Sequence, residues 1–198
     1  MATFDALVTE VLDNVGSRND TDSITFARRG VNFGTLLAGI LFDPPELQIV
    51  ANLTLGVSGT SVSLSALTEL MNITRVFNAT DNVNMGAIAW DRWEALTYPG
   101  AGTPEFHSRY GSTLYIRQAP TASTTIRVSY RKYAHRASTG DTLEFTQHDE
   151  YIVAAATKYT WACLEENESS DLIGKVGEAL GITLQAGTKL RALLEGGM

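Results

Sequence analysis

The 198-residue sequence predicts an α+β fold: a helical bundle built from the two ends of the chain, with an antiparallel β module, sandwich or barrel-like, inserted between them. Three observations point there. Apolar residues recur at helical spacing from Phe4 to Val15 and again beyond Asp149. Between Gln48 and about Phe145 glycine, proline and asparagine punctuate short alternating runs every ten residues or so, as they do in sandwiches and barrels. The composition, 44% hydrophobic and 19% charged, is that of a folded chain and argues against disorder. The expected organisation is N-terminal helices over 1–47, an inserted β domain over 48–145, and C-terminal helices over 146–198 that complete the bundle.

Phe4, Leu7, Val8, Val11, Leu12 and Val15 make the apolar face of a first helix that ends at Gly16. A polar linker, Ser17 to Thr21, brings in a second helix, with Asp22 or Ser23 as its expected cap. Ile24, Ala27, Val31 and the cluster Leu36, Leu37, Ile40, Leu41 supply its buried face. Gly30, Gly34 and Gly39 weaken it by roughly 1 kcal/mol each relative to alanine, so either packing compensates or the helix breaks in two. Pro44-Pro45 stops it, since neither residue can donate a backbone hydrogen bond.

The β region opens with Gln48–Gly56 and Thr60–Ala66, expected as a hairpin around Ser58-Gly59. Glu69–Asn78 is a third strand with Met71, Ile73 and Phe77 facing inward. Ala87–Leu96 is a short helix or turn carrying Trp90 and Trp93, and Glu105–Tyr110 begins the strands that follow a Gly100–Pro104 loop. Leu114–Pro120 and Thr125–Arg131 are two more strands. In the second, Arg127, Ser129 and Arg131 share one face while Val128 and Tyr130 share the other. A long helix opens at Thr146 with capping-box spacing to Asp149, and carries Ile152, Ala156, Tyr159 and Cys163 on one face. Leu172–Leu180 and Lys189–Glu195 close the chain as short helices.

Catalytic chemistry has no foothold in these residues. His107, His135 and His148 are dispersed, without a neighbouring ligand to suggest a metal site. Cys163 stands alone on an apolar helical face, where a buried structural thiol is the expectation. Neither a nucleophile elbow nor a phosphate-cradling glycine loop is present, so no enzyme activity, cofactor or metal is expected. The first apolar stretch is broken by Asp5 and Glu10, and no run approaches the ~18 residues of a membrane span. A cytoplasmic site of synthesis with no membrane contact is the expectation.

Charge is uneven. The net charge is −7, and eight acids lie between Asp141 and Asp171 against Lys158 alone. Arg127, Arg131, Lys132 and Arg136 form a basic segment free of acids. The two segments can meet head to tail in a ring of identical subunits, or stand as separate solvated surfaces. Tyr130 and Tyr133 interleave the bases, the pattern of single-strand nucleic-acid binders, although an acidic chain of pI near 4.9 is the reverse of the usual footprint. Trp90 and Trp93 anchor the β module or form a partner hot spot, and the anchor is favoured.

One order of elements adds to this: Tyr115-Ile116-Arg117-Gln118-Ala119-Pro120, a polar turn, a strand ending in Tyr130-Arg131-Lys132-Tyr133, a loop at Gly140, then the helix from Asp149 to Leu164. With the N-terminal helix pair and Asp91-Arg92-Trp93-Glu94, this order resembles the adaptor, or head-to-tail connector, proteins of tailed bacteriophages. The resemblance implies a subunit of a dodecameric ring docked on the portal protein, which extends the DNA channel and presents a platform to a tail or nozzle protein. It implies a virion protein of the neck, assembled in the host cytoplasm. Genomic DNA would pass through the ring without sequence-specific binding. The partner-facing residues would be Arg127, Arg131, Lys132 and Arg136, with Leu190, Leu193 and Leu194 in a C-terminal portal-contacting tail segment. The glycine-rich second helix and the short C-terminal extension depart from the family pattern. The alternatives are a tail-completion or other virion ring protein without portal contact, and a nucleic-acid-binding module using the Arg127 to Arg136 segment.

Overall fold

The computed structural model describes residues 2–96, 100–145 and 147–164. Expectations for the stretch after Leu164, including its two helices and Leu190, Leu193 and Leu194, lie outside the described residues, as does the cap at Thr146. Among the described residues the fold is mixed α+β, with four α-helices and two open four-stranded sheets, neither closed into a barrel. Two compact units divide the chain: Met1–Pro44 with the stretch that begins at Ala134, and Pro45–Tyr133.

In the first unit, α1 (Phe4–Asn14) starts at Thr3, whose Oγ1 accepts from the Ala6 amide, and ends before Gly16, which has the φ of +95° that a side chain disfavours. The longer α2 (Thr21–Phe42) is one unbroken helix. Its cap is Asp20, not Asp22 or Ser23; the Asp20 carboxylate accepts from both the amide and the hydroxyl of Ser23 at 2.9 and 2.7 Å. Those bonds, from the side chain first, hold the Asp20 carboxyl below its ordinary value. Asp43, left-handed at φ 49°, turns the chain out ahead of the two prolines.

Glycine in α2 has a packing reason. A Cβ on Gly30 would lie 2.8 Å from the Ala156 carbonyl oxygen, and one on Gly34 would lie 2.6 Å from that of Ile152. Both carbonyls belong to α4 (Asp149–Leu164), so the two helices meet backbone to backbone at these positions. Close approach offsets the intrinsic cost of glycine and keeps α2 whole. Leu7 and Val11 of α1 and Ile152 and Ala156 of α4 are all buried, and α1 packs on both other helices. Phe33 stacks on Tyr159, with ring centroids 5.3 Å apart.

The segment 134–145 was expected with the β domain, but it belongs to the helical unit. Asn32 of α2 accepts from the Ala137 amide at 2.8 Å and donates to the Ala137 carbonyl at 3.1 Å. Asp5 accepts from Gly140, and the Phe4 amide donates to the Asp141 carbonyl. These bonds tie part of its backbone to α1 and α2 rather than to a sheet.

The second unit holds all eight strands: β1 (Gln48–Leu55), β2 (Ser61–Ser63), β3 (Leu70–Asn78), β4 (Val83–Asn84), β5 (Gly86–Ala87), β6 (Phe106–Tyr110), β7 (Thr113–Arg117) and β8 (Thr124–Lys132). One sheet has the order β1-β8-β3-β4, with every neighbouring pair antiparallel. The other has the order β2-β7-β6-β5, with only β5 and β6 parallel. The expected hairpin between the first two strands is absent. The turn at Ser58-Gly59 exists, but the Ser58 amide bonds to Pro120, and β1 and β2 part into different sheets. Leu55, Val76, Ile126 and Val128 from one sheet and Leu114 and Ile116 from the other close on one apolar core. The helix α3 (Trp90–Ala95) belongs to the same unit.

β3 corrects a second expectation. Its register against β8 shifts between Leu70 and Asn72 and again between Ile73 and Arg75. Each bulge reverses which parity faces the core. Ile73 packs inward, but past the second bulge Val76 is the buried residue, and Phe77 lies beneath the Arg75 guanidinium at 5.0 Å.

Candidate interaction surface

β8 is an inner strand of its sheet, so its alternation is enforced on both sides. Ile126, Val128 and Tyr130 are buried, while Arg127 is exposed and Ser129 and Arg131 are half-buried on the opposite face. The pairing register sets the neighbours on that face. Arg131 lies between Gln48 and Asn72, Ser129 between Val50 and Arg75, and Arg127 between Asn52 and Phe77. Arg127 Nε donates to Asn52 Oδ1 at 3.4 Å, and Arg75 Nε donates to Asn84 Oδ1 at 2.9 Å. Arg75, Arg127 and Arg131 therefore stand on one sheet face among amides and hydroxyls, and the residues opposite them in the ladder include no carboxylate.

Sequence pattern alone does not place Arg75 on this face. Its place follows from the β3 bulge, which no residue pattern in Asn72–Phe77 signals. Lys132 is displaced from the arginines. It follows the buried parity at the strand end and pairs with Glu69 at 4.0 Å. Arg136 is exposed but belongs to the helical unit. The basic segment of the sequence is thereby split between two units. Of the acidic segment, Asp141 accepts from the Ser138 amide and Glu144 from the His135 amide, so these two cap turns of their own loop.

The two tryptophans have different roles. Trp93 is buried, with the Arg117 guanidinium 4.5 Å above its ring and an Arg117 Nη2 bond to its carbonyl oxygen. A buried arginine is tolerated because its charge meets both the ring face and a backbone acceptor. Trp90 instead stacks on the exposed Tyr110 at 4.7 Å and meets Tyr115 at a tilt of 51° with centroids 4.8 Å apart, making a surface aromatic cluster. A similar cluster joins the exposed Phe42 to His148 and Tyr151 at the start of α4.

Burial pushes the Cys163 thiol up, away from the thiolate, and Tyr159 rises for the same first reason. Burial lowers His107, which lines an open cleft of about 340 Å³ with Ser108, Val76 and Met85. His107 Nδ1 and Ser108 Oγ have no hydrogen-bond partner among the described residues. Burial also raises the Asp149 carboxyl. No group of His, Cys, Asp and Glu that could hold a metal occurs among the described residues, and no described helix is long and apolar enough to cross a membrane. No protein-family model matches the chain, and no curated protein matches its sequence.

Proposed function

We propose that this chain is an adaptor subunit of a tailed bacteriophage: a ring-forming head-to-tail connector that docks on the portal, extends the DNA channel and receives the tail or nozzle. The observation that carries the proposal is the path of the chain. Both ends build a helical unit, the strand-rich unit is inserted between them in sequence, and the β7, β8, α4 order is that of the adaptor resemblance. In this reading α1, α2 and α4 act as a helical bundle, and the two sheets act as a sandwich that presents its polar face. The protein is a dodecameric virion component of the neck, assembled in the host cytoplasm, and it has no turnover of its own.

Ring closure suits such a role. Each subunit offers little contact area, but once one contact forms the next are intramolecular, and twelve weak contacts become one firm attachment. The test is to image the purified chain by electron microscopy, alone and mixed with rings of a tailed-phage portal protein. A ring of density added to one end of the portal is expected. A chain that forms rings but ignores the portal is instead a tail-completion or other virion ring protein, and a chain that forms neither defeats the adaptor proposal.

The arginine face favours a second reading. Arg75, Arg127 and Arg131 on one sheet surface suit a phosphate backbone, whether DNA threading a ring or nucleic acid bound by the free protein. Retention on DNA that weakens steeply with salt, and that is lost in Arg127→Glu, distinguishes direct binding from passage through a lumen.

A further inference from the structure

The four outer strands of the two sheets are not equally protected. β2 is three residues long, β4 and β5 are two each, and shortness alone limits what can pair with them. The part of β3 that β4 leaves uncovered carries two bulges and Arg75, both recognised guards of a sheet edge. β1 has none of these devices. It runs eight residues in unbroken register with β8, its one strand neighbour among the described residues. Gln48-Ile49-Val50-Ala51-Asn52-Leu53-Thr54-Leu55 contains no charge, proline or glycine. Val50 is 62% exposed.

The sheet's apolar layer also stops short at this strand. Ile49, Ala51 and Leu53 pack against the core yet remain only half-buried. A further strand beside β1 would cover them and satisfy the outward backbone groups.

We infer that β1 is a self-pairing edge, and that two copies of this chain join β1 to β1 in antiparallel register across a two-fold axis, fusing two four-stranded sheets into one of eight. The occupant is a second copy because β1 is the one long unguarded edge that a described sheet offers. An uncharged strand also meets its own copy without like-charge opposition, although each chain carries −7. The side-chain pattern is self-complementary. With the axis at Ala51, Ile49 stands opposite the partner's Leu53, and Val50 opposite the partner's Asn52. Ile49, Ala51 and Leu53 then continue the apolar layer on the core side, while Gln48, Asn52 and Thr54 stay outside with Val50 as the one apolar residue among them. A two-fold contact closes on two copies, so this inference does not rest on the adaptor reading and adds no ring.

The test is the molar mass of the full-length protein by light scattering, in reducing buffer so that Cys163 cannot cross-link. A dimer is expected. In V50E/N52E each glutamate faces its counterpart across the axis, while within one chain residue 52 lies opposite Arg127, an arrangement the fold accepts. That variant should be monomeric at the same loading, with a dissociation constant raised at least ~10-fold. Hydrogen exchange on the unmodified protein gives a second readout: protection of Ile49–Thr54 amides should grow with protein concentration. A monomeric wild type, a dimer untouched by V50E/N52E, or β1 exchange that ignores concentration overturns the inference.

Discussion

Single atoms decide several properties of this protein. At Gly34 the missing Cβ is what lets α2 rest on the Ile152 carbonyl, since an added methyl would sit 2.6 Å from that oxygen. Gly34→Ala gains about 1 kcal/mol of helix propensity but must push two helix backbones apart, a strain of about 1–3 kcal/mol or more. The net effect expected is destabilisation, read as a lower urea midpoint; an unchanged or higher midpoint would show that the helices yield without cost. Ile152→Ala, at a site with no exposure, should cost about 2–5 kcal/mol in the same assay. His107 brings a pH dependence whose sign can be worked out. Burial holds its folded-state pKa below the ordinary 6.5, so the unfolded chain takes up the proton first. Its contribution is present above 6.5 and is lost as pH falls toward the folded value. Asp149, raised by burial, acts with the opposite sign, because its contribution is present below the ordinary 3.8 and is lost as pH rises through its folded value. Stability should therefore drop on going from pH 7 to pH 5.5, and His107→Gln should flatten that drop. An equal drop in wild type and variant would assign the effect elsewhere.

Secondary-structure elements were legible in the sequence where one periodicity ruled, and illegible where a local backbone event reset it. The α1 stripe from Phe4 to Val15 and the split faces of β8 follow from spacing, and the α2 stop just before Pro44-Pro45 from proline's missing donor; the structure places all three as expected. The glycines of α2 left two outcomes open, because whether a helix survives them depends on what lies against it. β3 departs from its expected faces for a different reason. The expected bounds, Glu69–Asn78, match the strand to within one residue, but a bulge carries no composition signal, and each one inverts the faces of everything after it. The β1–β2 hairpin failed similarly, since a turn fixes a reversal of the chain but not which strands then pair. Arg75 was lost from the candidate surface by the same inversion. A direct test contrasts neighbours on β3. Val76→Asp buries a carboxylate and should cost several kcal/mol or prevent folding. Phe77→Ser removes an exposed-face contact with Arg75 and should cost about 1 kcal/mol. The reverse ranking in thermal melts would restore the unbulged register.

Across the whole molecule the division of labour follows the chain path: both ends supply the helical unit and the middle supplies the strands. The proposed attachment role leaves less trace in a sequence than a fold does, because attachment needs no catalytic motif and draws on ordinary surface and apolar residue types. The described residues place the arginine face, but the proposed portal-contacting segment is read from sequence only. That segment has glycines at 174, 177, 181 and 187, which permit close backbone approach, and Leu190, Leu193 and Leu194 on a stretch of seven residues, Lys189 to Glu195. Isolated helices shorter than ~12–15 residues are marginal in water, so the adaptor reading assigns these leucines to a partner surface. Deleting the residues after Gln185 should then leave a folded protein, with its melting temperature within about 2 °C of the full chain if no packing is lost. The same deletion should abolish co-sedimentation with portal rings. If the truncated chain melts normally and still docks, the grip lies in the described units, and the arginine face becomes the first surface to change. If it fails to dock only because it no longer folds, Leu190→Ser with Leu194→Ser in the full chain separates the two, provided the melting temperature of that variant is unchanged.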